Sequence, residues 1–358
     1  MTPTLDPPYP HDPGGMGALI EGIPEQIESA LARVAAAPWK PATRIPSTFA
    51  VGAMGGSAIA ADLTSAIYSD MIQRPIAVVR DYHWPAFVTR EAFALHCSYS
   101  GATEETLALY RESARRDVPR AALTTGGSLA AACDRDGAPW HKLPSGMPPR
   151  AALFSSWVPM TALVAALDWC EDPTSDWRET VSRLRELRER IGIAAPESAN
   201  PAKQLARALL GRQLVIYASA ARTAAAGTRL RQQLNENAKL PARSAYVPEL
   251  NHNEIVAWER PDALHRDTAV LILEDAEDRP EIVRRLGLTA DYVRRQGAEV
   301  HPMKSESGGR LARLAQQVVW GDYLSFYLAM LRGVDPTPVA SLDEFKRRMT
   351  AAATGKEI

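Results

Sequence analysis

The most constraining feature of this sequence is an alternation of short apolar runs with amphipathic helical runs. In the first half, strands are predicted at 48–54, 76–80, 93–97, 121–124 and 140–143, and helices at 57–69, 103–116 and 128–135. Such alternation is typical of parallel strands whose two faces are both covered by helices. The sequence therefore predicts an α/β fold with a parallel sheet flanked by helices.

The same alternation returns in the second half. Strands are predicted at 214–218, 245–248, 269–274 and 299–302, and helices at 223–239, 279–296 and 310–332. Further helices are predicted at 16–36, after residue 153, at 177–191 and at 341–353. The length of 358 residues suits about two domains. We expect a flexible arm at 1–15, a first doubly wound domain at 16–172, and a second at 173–358 that includes the C-terminal helix.

Charge and composition exclude several classes of function. The 41 basic and 42 acidic residues nearly cancel, so no overall field attracts nucleic acid or an anionic membrane. The proline-rich start lacks the features of a signal peptide, and no apolar run reaches the roughly 20 residues of a membrane span. Three widely spaced cysteines suit a reducing cytoplasm, and no cluster has metal-ligand spacing. We expect a cytoplasmic protein that uses no metal and no cofactor.

The first glycine-rich turn lies in the segment FAVGAMGGSAIAADL, between a predicted strand and a predicted helix. Gly55 and Gly56 let a ligand approach the backbone, and the helix that begins near Ser57 offers free amides to an anion. Two other interpretations stay open. The glycines could form only a tight turn, or Asp81 could mark a nucleotide site, although the spacing departs from the dinucleotide fingerprint.

A second turn, CSYSGATEETL, follows another predicted strand and groups three hydroxyl side chains around a glycine. Ser98, Ser100 and Thr103 stand where the amides of the next helix are unpaired, so they could surround a phosphate with neutral donors. Serine and threonine before a helix are also ordinary caps, and this alternative stays open.

Together, GGSAIAADL and SYSGATEETL resemble the paired phosphate loops of the sugar isomerase (SIS) domain. After its first 15 residues the chain is similar to one branch of that superfamily, the bifunctional phosphoglucose/phosphomannose isomerases. The resemblance implies two flavodoxin-like SIS domains and the interconversion of aldose and ketose 6-phosphates through an enediol. It also implies that the phosphate of the sugar 6-phosphate is bound by Gly56, Ser57, Ser98, Ser100 and Thr103.

The resemblance extends to four candidate catalytic residues. It implies that Glu236 carries the proton between carbons 2 and 1, and that Arg150 stabilises the enediolate. His252, in the string ELNHNE, helps to open the ring and reaches the site from the neighbouring subunit, which implies a homodimer. Lys346 lies near the sugar oxygens. From the residues alone, Glu236 and Lys346 could belong to solvated helix faces, Arg150 to a structural ion pair, and His252 to an ordinary surface loop.

The remaining polar residues of ELNHNE have no obvious structural reason in the sequence, so they are further candidates for the site. These are Glu249, Asn251, Asn253 and Glu254.

Three alternative functions need different features. A non-catalytic, sugar-phosphate-sensing SIS protein would keep the two loops but would not need Glu236 and His252. An amidotransferase-type synthase would need a cysteine nucleophile domain ahead of Met16, and a dehydrogenase would bind a nicotinamide cofactor. We expect an isomerase.

Overall fold

The first half of the chain begins with two helices and then alternates strands and helices. The computed structural model describes residues 4–41, 45–260, 262–305 and 307–353. Its first half contains α1 (Met16–Glu21), α2 (Ile23–Ala36), β1 (Phe49–Ala53), α3 (Gly55–Tyr68), β2 (Ile76–Val79), β3 (Phe93–Cys97), α4 (Glu104–Arg115), β4 (Arg120–Thr124), α5 (Gly127–Asp136) and β5 (Trp140–Lys142). The five predicted strands and the three predicted helices between them are confirmed to within two residues at each end.

These five strands form one parallel sheet in the order β2-β1-β3-β4-β5. Strands β1 and β3 are buried along their whole length because helices pack on both faces. On one face Val51 packs in the core that contains α3 and α6 (Leu153–Ala166), and on the other Ala50 packs with Leu109 of α4. The strand order is the flavodoxin-like doubly wound order, whose winding reverses between β1 and β3.

The second half repeats this design with one strand fewer. Helix α6 packs on α2 and α3 and ends the first half. The elements of the second half are α7 (Thr174–Ile191), α8 (Pro201–Leu209), β6 (Gln213–Ser219), α9 (Ala224–Glu236), β7 (Ala242–Val247), α10 (Ala263–Arg266), β8 (Thr268–Glu274), α11 (Pro280–Arg295), β9 (Glu299–Lys304), α12 (Arg310–Leu331) and α13 (Ala340–Ala353). The four strands are parallel in the order β7-β6-β8-β9. The predicted α/β fold class is confirmed.

A shared core joins the two halves. Helix α7 packs against α2 of the first half and α12 of the second. Trp157 of α6 and Trp177 of α7 are fully buried and meet edge to face, with ring centroids 5.1 Å apart. Apolar burial of this kind is the main stabilising contribution to folding, and here it fixes the two sheets relative to each other. The domain boundary between 172 and 173 stays a prediction.

The helices differ from the sequence-based expectation in three places, one of which is the single-turn α10, which has no predicted counterpart. The single helix predicted over 16–36 is divided at Gly22, because Pro24, in the first turn of α2, has no amide proton to continue a helix from α1. Helix α8 has no counterpart among the predicted helices. The side-chain oxygen of Asn200 caps it by accepting the amides of Ala202 and Lys203, at 2.9 and 3.0 Å.

Residues 4–15, expected to belong to a flexible arm, lie against the second half instead. Leu5 is fully buried, and the carboxylate of Asp6 accepts a hydrogen bond from Lys203 Nζ at 3.2 Å. The ring of Tyr9 meets Phe326 of α12 edge to face at 5.2 Å. These contacts dock the segment on α8 and α12. Residues 1–3 lie outside the described part of the chain.

The predicted C-terminal helix is present as α13, and most of its side chains are exposed. Across the described ranges, none of the helices is both long enough and apolar enough to cross a membrane.

Candidate active site

Two polar loops leave neighbouring strands at the point where the first sheet reverses its winding. Strand β1 ends at Ala53 and β3 at Cys97, and these two residues are paired in register. The loop after β1 leads into α3 at Gly55–Ser57, and residues 98–103 lead from β3 into α4. Doubly wound sheets bind ligands in this crevice, outside the carboxyl ends of the strands. The two loops therefore lie side by side at a position suited to a ligand.

Loop 98–103 is held in shape by its own side chains. The buried hydroxyl of Ser98 accepts the amide of Gly101 at 3.1 Å and lies 2.7 Å from Thr103 Oγ1. Gly101 has a φ of 68°, and a Cβ there would lie 1.8 Å from the carbonyl oxygen of Gly126, so only glycine fits. Ser100, by contrast, is exposed. The loop thus presents one exposed hydroxyl on a framework that Ser98 organises.

The loop after β1 is joined to loop 98–103 through a buried cysteine. Ser57 is buried in the first turn of α3, and the thiol of Cys97 lies against the hydroxyls of Ser57 and Ser156. Burial raises the pKa of Cys97 to about 11, so the group is a neutral thiol at physiological pH. Cys97 therefore packs as a buried, neutral thiol against α3 and α6.

A third segment of the chain packs closely against the first loop at Gly56. A Cβ at this position would lie 3.3 Å from the carbonyl oxygen of Pro149 and 3.4 Å from the Cα of Arg150. These residues belong to a 3₁₀ turn, Pro149–Ala152, that packs against α3. The absence of a side chain at Gly56 lets the main chain of Arg150 approach the first loop closely.

Arg150 and Glu236 come together although they belong to different halves of the chain. Arg150 is only 3% exposed, and its NH1 atom lies 3.6 Å from Glu236 Oε2. Burial lowers the pKa of Arg150 and the nearby carboxylate of Glu236 opposes this, but an arginine remains protonated at neutral pH. Glu236 is the last residue of α9, which packs against α3. A carboxylate and a buried cation thus meet beside the first loop.

The guanidinium of Arg150 is held by neutral acceptors on its other sides. Its Nε donates to Asn237 Oδ1 at 2.7 Å, and NH2 donates to the carbonyls of Pro336 and Thr337 at 2.5 and 2.9 Å. Lys239 Nζ also donates to the carbonyl of Pro336, at 3.3 Å. Segment 336–338, which precedes α13, is thereby fixed against the site.

A buried ion pair lies behind Arg150. Arg229 donates to both carboxylate oxygens of Asp322, at 3.1 and 3.0 Å, and both side chains are almost fully buried. The NH2 group of Arg229 also donates to the carbonyl of Arg150 at 2.8 Å. Burial raises the pKa of Asp322 and Arg229 opposes this. Sequence reasoning missed this pair and Asn237, although Asp322 is the single acidic residue of α12.

His252 is exposed in a 3₁₀ turn, Glu249–His252, that follows β7. Within the described residues its imidazole has no hydrogen-bond or ion-pair partner, and it does not contact Arg150 or Glu236 in this way. Its polar neighbours in ELNHNE do have partners. These pairs are Asn251 with Thr289 at 2.8 Å, Asn253 with Glu249 at 3.0 Å, and Tyr217 with Glu254 at 3.3 Å. The inference that these neighbours have no structural reason is therefore wrong, because they fold the loop that presents His252.

Lys346 lies on an exposed part of α13, and no hydrogen bond or ion pair joins it to Glu236 or Arg150 in the part of the chain that the structure describes. The lysine beside Glu236 is Lys239, whose Nζ donates to the carbonyls of Glu236 and Pro338 at 2.5 and 2.7 Å. Burial lowers the pKa of Lys239. In a single chain the site therefore contains Arg150, Glu236 and the two loops, whereas His252 and Lys346 are not joined to them.

This arrangement suits proton transfer on an anionic substrate. Hydroxyls and free helix amides can hold a phosphate, a partly exposed carboxylate can accept a proton, and a fixed guanidinium can stabilise a developing oxyanion. Among the residues that the structure describes, no group of three or more histidine, cysteine, aspartate or glutamate side chains is placed to hold a metal ion.

Comparison with known proteins places the chain in a family. Residues 198–349 match the family described as the bacterial phospho-glucose isomerase C-terminal SIS domain. The bifunctional phosphoglucose/phosphomannose isomerase of Caldicellulosiruptor bescii is 37% identical over 83% of this chain and 87% of its own length. The protein of the same name from Aquifex aeolicus is 30% identical, over 83% and 88%.

A solved structure shares the fold at low identity. The C-terminal domain of glucosamine-fructose-6-phosphate aminotransferase from Francisella tularensis superposes with a TM-score of 0.69 at 12% identity, over 90% of this chain and 98% of that domain. This likeness supports the fold alone. The sequence similarity to the two isomerases, over most of both chains, shows more: this chain belongs to the bifunctional phosphoglucose/phosphomannose isomerase family.

Proposed function

We propose that this protein is a sugar-phosphate isomerase that interconverts fructose 6-phosphate with glucose 6-phosphate, mannose 6-phosphate or both. Its relatives carry the name of this activity. The observation that carries the proposal for this chain is the 3.6 Å approach of Glu236 to Arg150, beside the first loop. An enediol mechanism needs both a base that carries the proton and a cation that stabilises the enediolate oxygen, and here the two groups lie side by side.

In the proposed reaction, the phosphate binds to Ser57, Ser98, Ser100 and Thr103 and to the amides near Gly56. Glu236 removes the proton from carbon 2 of the open-chain aldose and returns it to carbon 1, while the hydroxyl proton of oxygen 2 passes to oxygen 1. The negative charge that develops on the enediolate oxygen is stabilised by Arg150. Because the same carboxylate takes and returns the proton, the step needs no oxidant and no cofactor, and one enediol serves both epimers.

The proposed site is completed by a second copy of the chain. His252 supplies ring opening from the partner subunit, which is consistent with an exposed imidazole on a well-folded loop. Lys346, on the exposed helix α13, would approach the sugar oxygens in the assembled dimer. A two-fold arrangement gives two identical sites, each with residues from both subunits.

A sugar-phosphate-sensing protein would need the two loops but not the Arg150–Glu236 pair, so the isomerase is favoured. The three cysteines are free thiols, which is consistent with the proposed cytoplasmic location.

The activity is tested by incubating purified protein with fructose 6-phosphate and following glucose 6-phosphate and mannose 6-phosphate in separate coupled assays. We expect at least one aldose to form at a rate proportional to enzyme. Saturable binding of fructose 6-phosphate without formation of either product would establish the sensing function instead.

A further inference from the structure

We propose that Asn237 is a positioning residue of the isomerase, which fixes the guanidinium of Arg150 against Glu236. This inference rests on the proposed function. Asn237 directly follows the proposed base in sequence, yet its side chain is fully buried and turned toward Arg150. It lies where one side chain can link the base-bearing helix to the cation.

Both ends of the Asn237 amide are used. Its oxygen accepts Arg150 Nε at 2.7 Å, and its nitrogen donates to Ser325 Oγ at 3.0 Å. Ser325 in turn donates to the carbonyl of Asp322 at 2.8 Å. Because the oxygen and the nitrogen of the Asn237 amide each have a partner, the amide cannot rotate without breaking two buried hydrogen bonds.

The same network holds the main chain of Arg150. Asp322 fixes Arg229 through two hydrogen bonds, and Arg229 donates to the Arg150 carbonyl. Asp322 therefore anchors both the backbone of Arg150, through Arg229, and its side chain, through Ser325 and Asn237. A guanidinium that is already fixed loses little rotamer freedom during the reaction, and a cation preorganised in this way can stabilise the enediolate as it forms.

Asn237 acts on the orientation of the Arg150 side chain and not on the phosphate loops. Without it, Nε loses its acceptor, while NH2 keeps the carbonyls of Pro336 and Thr337. The guanidinium would then pivot about these two contacts and move NH1 away from Glu236. Since a misplacement of about 1 Å can cost up to about 100-fold in rate, a loss of about tenfold in kcat is expected, with little change in KM.

A double-mutant cycle tests the role. Asn237→Ala is expected to lower kcat about tenfold and to change KM for fructose 6-phosphate by less than about twofold. In an Arg150→Ala background, the same change should alter kcat by less than about twofold, because there is no guanidinium left to position. A merely structural residue would lower kcat by the same factor in both backgrounds, and that result would overturn the proposal.

Asn200→Ala is the matched control. Asn200 is also a fully buried asparagine, but its oxygen caps α8 and its nitrogen donates to the carbonyl of Gly192 at 3.0 Å. We expect this variant to have a lower Tm and an unchanged kcat. Should Asn237→Ala be insoluble, Asn237→Ser, whose hydroxyl is too short to reach Arg150, takes its place in the cycle with the same expected factors.

The two proposals fail in different ways. If the wild-type protein does not isomerise fructose 6-phosphate, the proposed function fails. If it does, and Asn237 variants keep full kcat or lose it equally with and without Arg150, the positioning role alone is refuted.

Discussion

Replacing Glu236 with glutamine keeps the size of the side chain and removes the carboxylate that we propose carries the proton. Loss of a general base typically lowers the rate about 10²- to 10⁴-fold, which corresponds to about 2.7–5.4 kcal/mol of transition-state stabilisation. We therefore expect Glu236→Gln to lose isomerisation in both directions by at least about 100-fold. Its KM for fructose 6-phosphate should remain close to that of the wild type, because the phosphate loops are unchanged.

The structure indicates that this variant stays folded. The carboxylate of Glu236 is 3.6 Å from Arg150 NH1, but the side chain is 31% exposed, so solvent screens the pair. Arg150 keeps its acceptors on Asn237, Pro336 and Thr337. Partly exposed ion pairs contribute about 1 kcal/mol or less, which is small beside the roughly 5–15 kcal/mol stability of a typical domain. A kinetic loss of several kcal/mol could therefore not come from unfolding.

Two measurements separate the chemical step from binding. Coupled assays give kcat and KM, and proton NMR in D₂O follows exchange of the carbon-2 proton with solvent. We expect Glu236→Gln to abolish exchange, and Glu189→Gln, an exposed glutamate near the end of α7, to behave as the wild type. Turnover of Glu236→Gln within about threefold of the wild type would refute the assignment. Glu249 or Glu254 would then be the next candidates for the base.

Three further predictions concern the dimer, the phosphate loop and pH. In the first experiment, unfolded Glu236→Gln and His252→Ala subunits are mixed and refolded together. About a quarter of wild-type activity should return, because half of the dimers are mixed and each mixed dimer has one intact site. No recovery of activity would mean that each site takes both groups from one subunit. Ser100→Ala should raise KM about tenfold without changing Tm, whereas Ser98→Ala should change both, because Ser98 also holds the loop; equal Tm losses would contradict this. Burial lowers the pKa of His96 to about 3, whereas the pKa in the unfolded state is about 6.5. Below pH of about 6.5 the unfolded state binds a proton that the folded state does not, so the free energy of unfolding falls by about 1.4 kcal/mol for each further pH unit. Urea unfolding of the wild type between pH 7 and 5 should show this slope, and an unchanged slope in His96→Phe would refute the assignment.

Elements decided by local pattern could be predicted from the sequence. Strands β1 and β3 are buried on both faces, so each reads as a mostly apolar run, followed within two residues by glycine or serine. Helix α8 has only nine residues and depends on the cap from Asn200, which periodicity does not register. The docking of Asp6 and Tyr9 was equally hidden, because their partners lie in α8 and α12, far along the chain.

The same distinction holds for the candidate site. The two loops could be located from the sequence because their shape depends on nearby residues. Within loop 98–103, for example, the hydrogen bonds of Ser98 join residues at most five positions apart. The contacts of Arg150 with Asn237, and of Arg229 with Asp322, join residues from different halves or distant helices, so no spacing encodes them. The polar residues around His252 led to a wrong inference. The unusual string ELNHNE suggested that they belong to the site, but hydrogen bonds that shape the loop account for most of these residues.

The two sheets share a winding order but differ in the side chains at the carboxyl ends of their strands. At the switch point of the first sheet, exposed hydroxyls and helix amides can receive an anion. At the corresponding edge of the second sheet, Asp275 is buried against Arg313 at 3.0 Å, and Arg222 pairs with Asp70 of the first half at 2.6 Å. Because these arginines already have carboxylate partners, an added anion there would compete with them. Helix α9, which starts at this sealed edge, is about 20 Å long and ends at Glu236 beside Arg150. The second half therefore carries the proposed base to the proposed phosphate site of the first half, so the proposed reaction needs both halves.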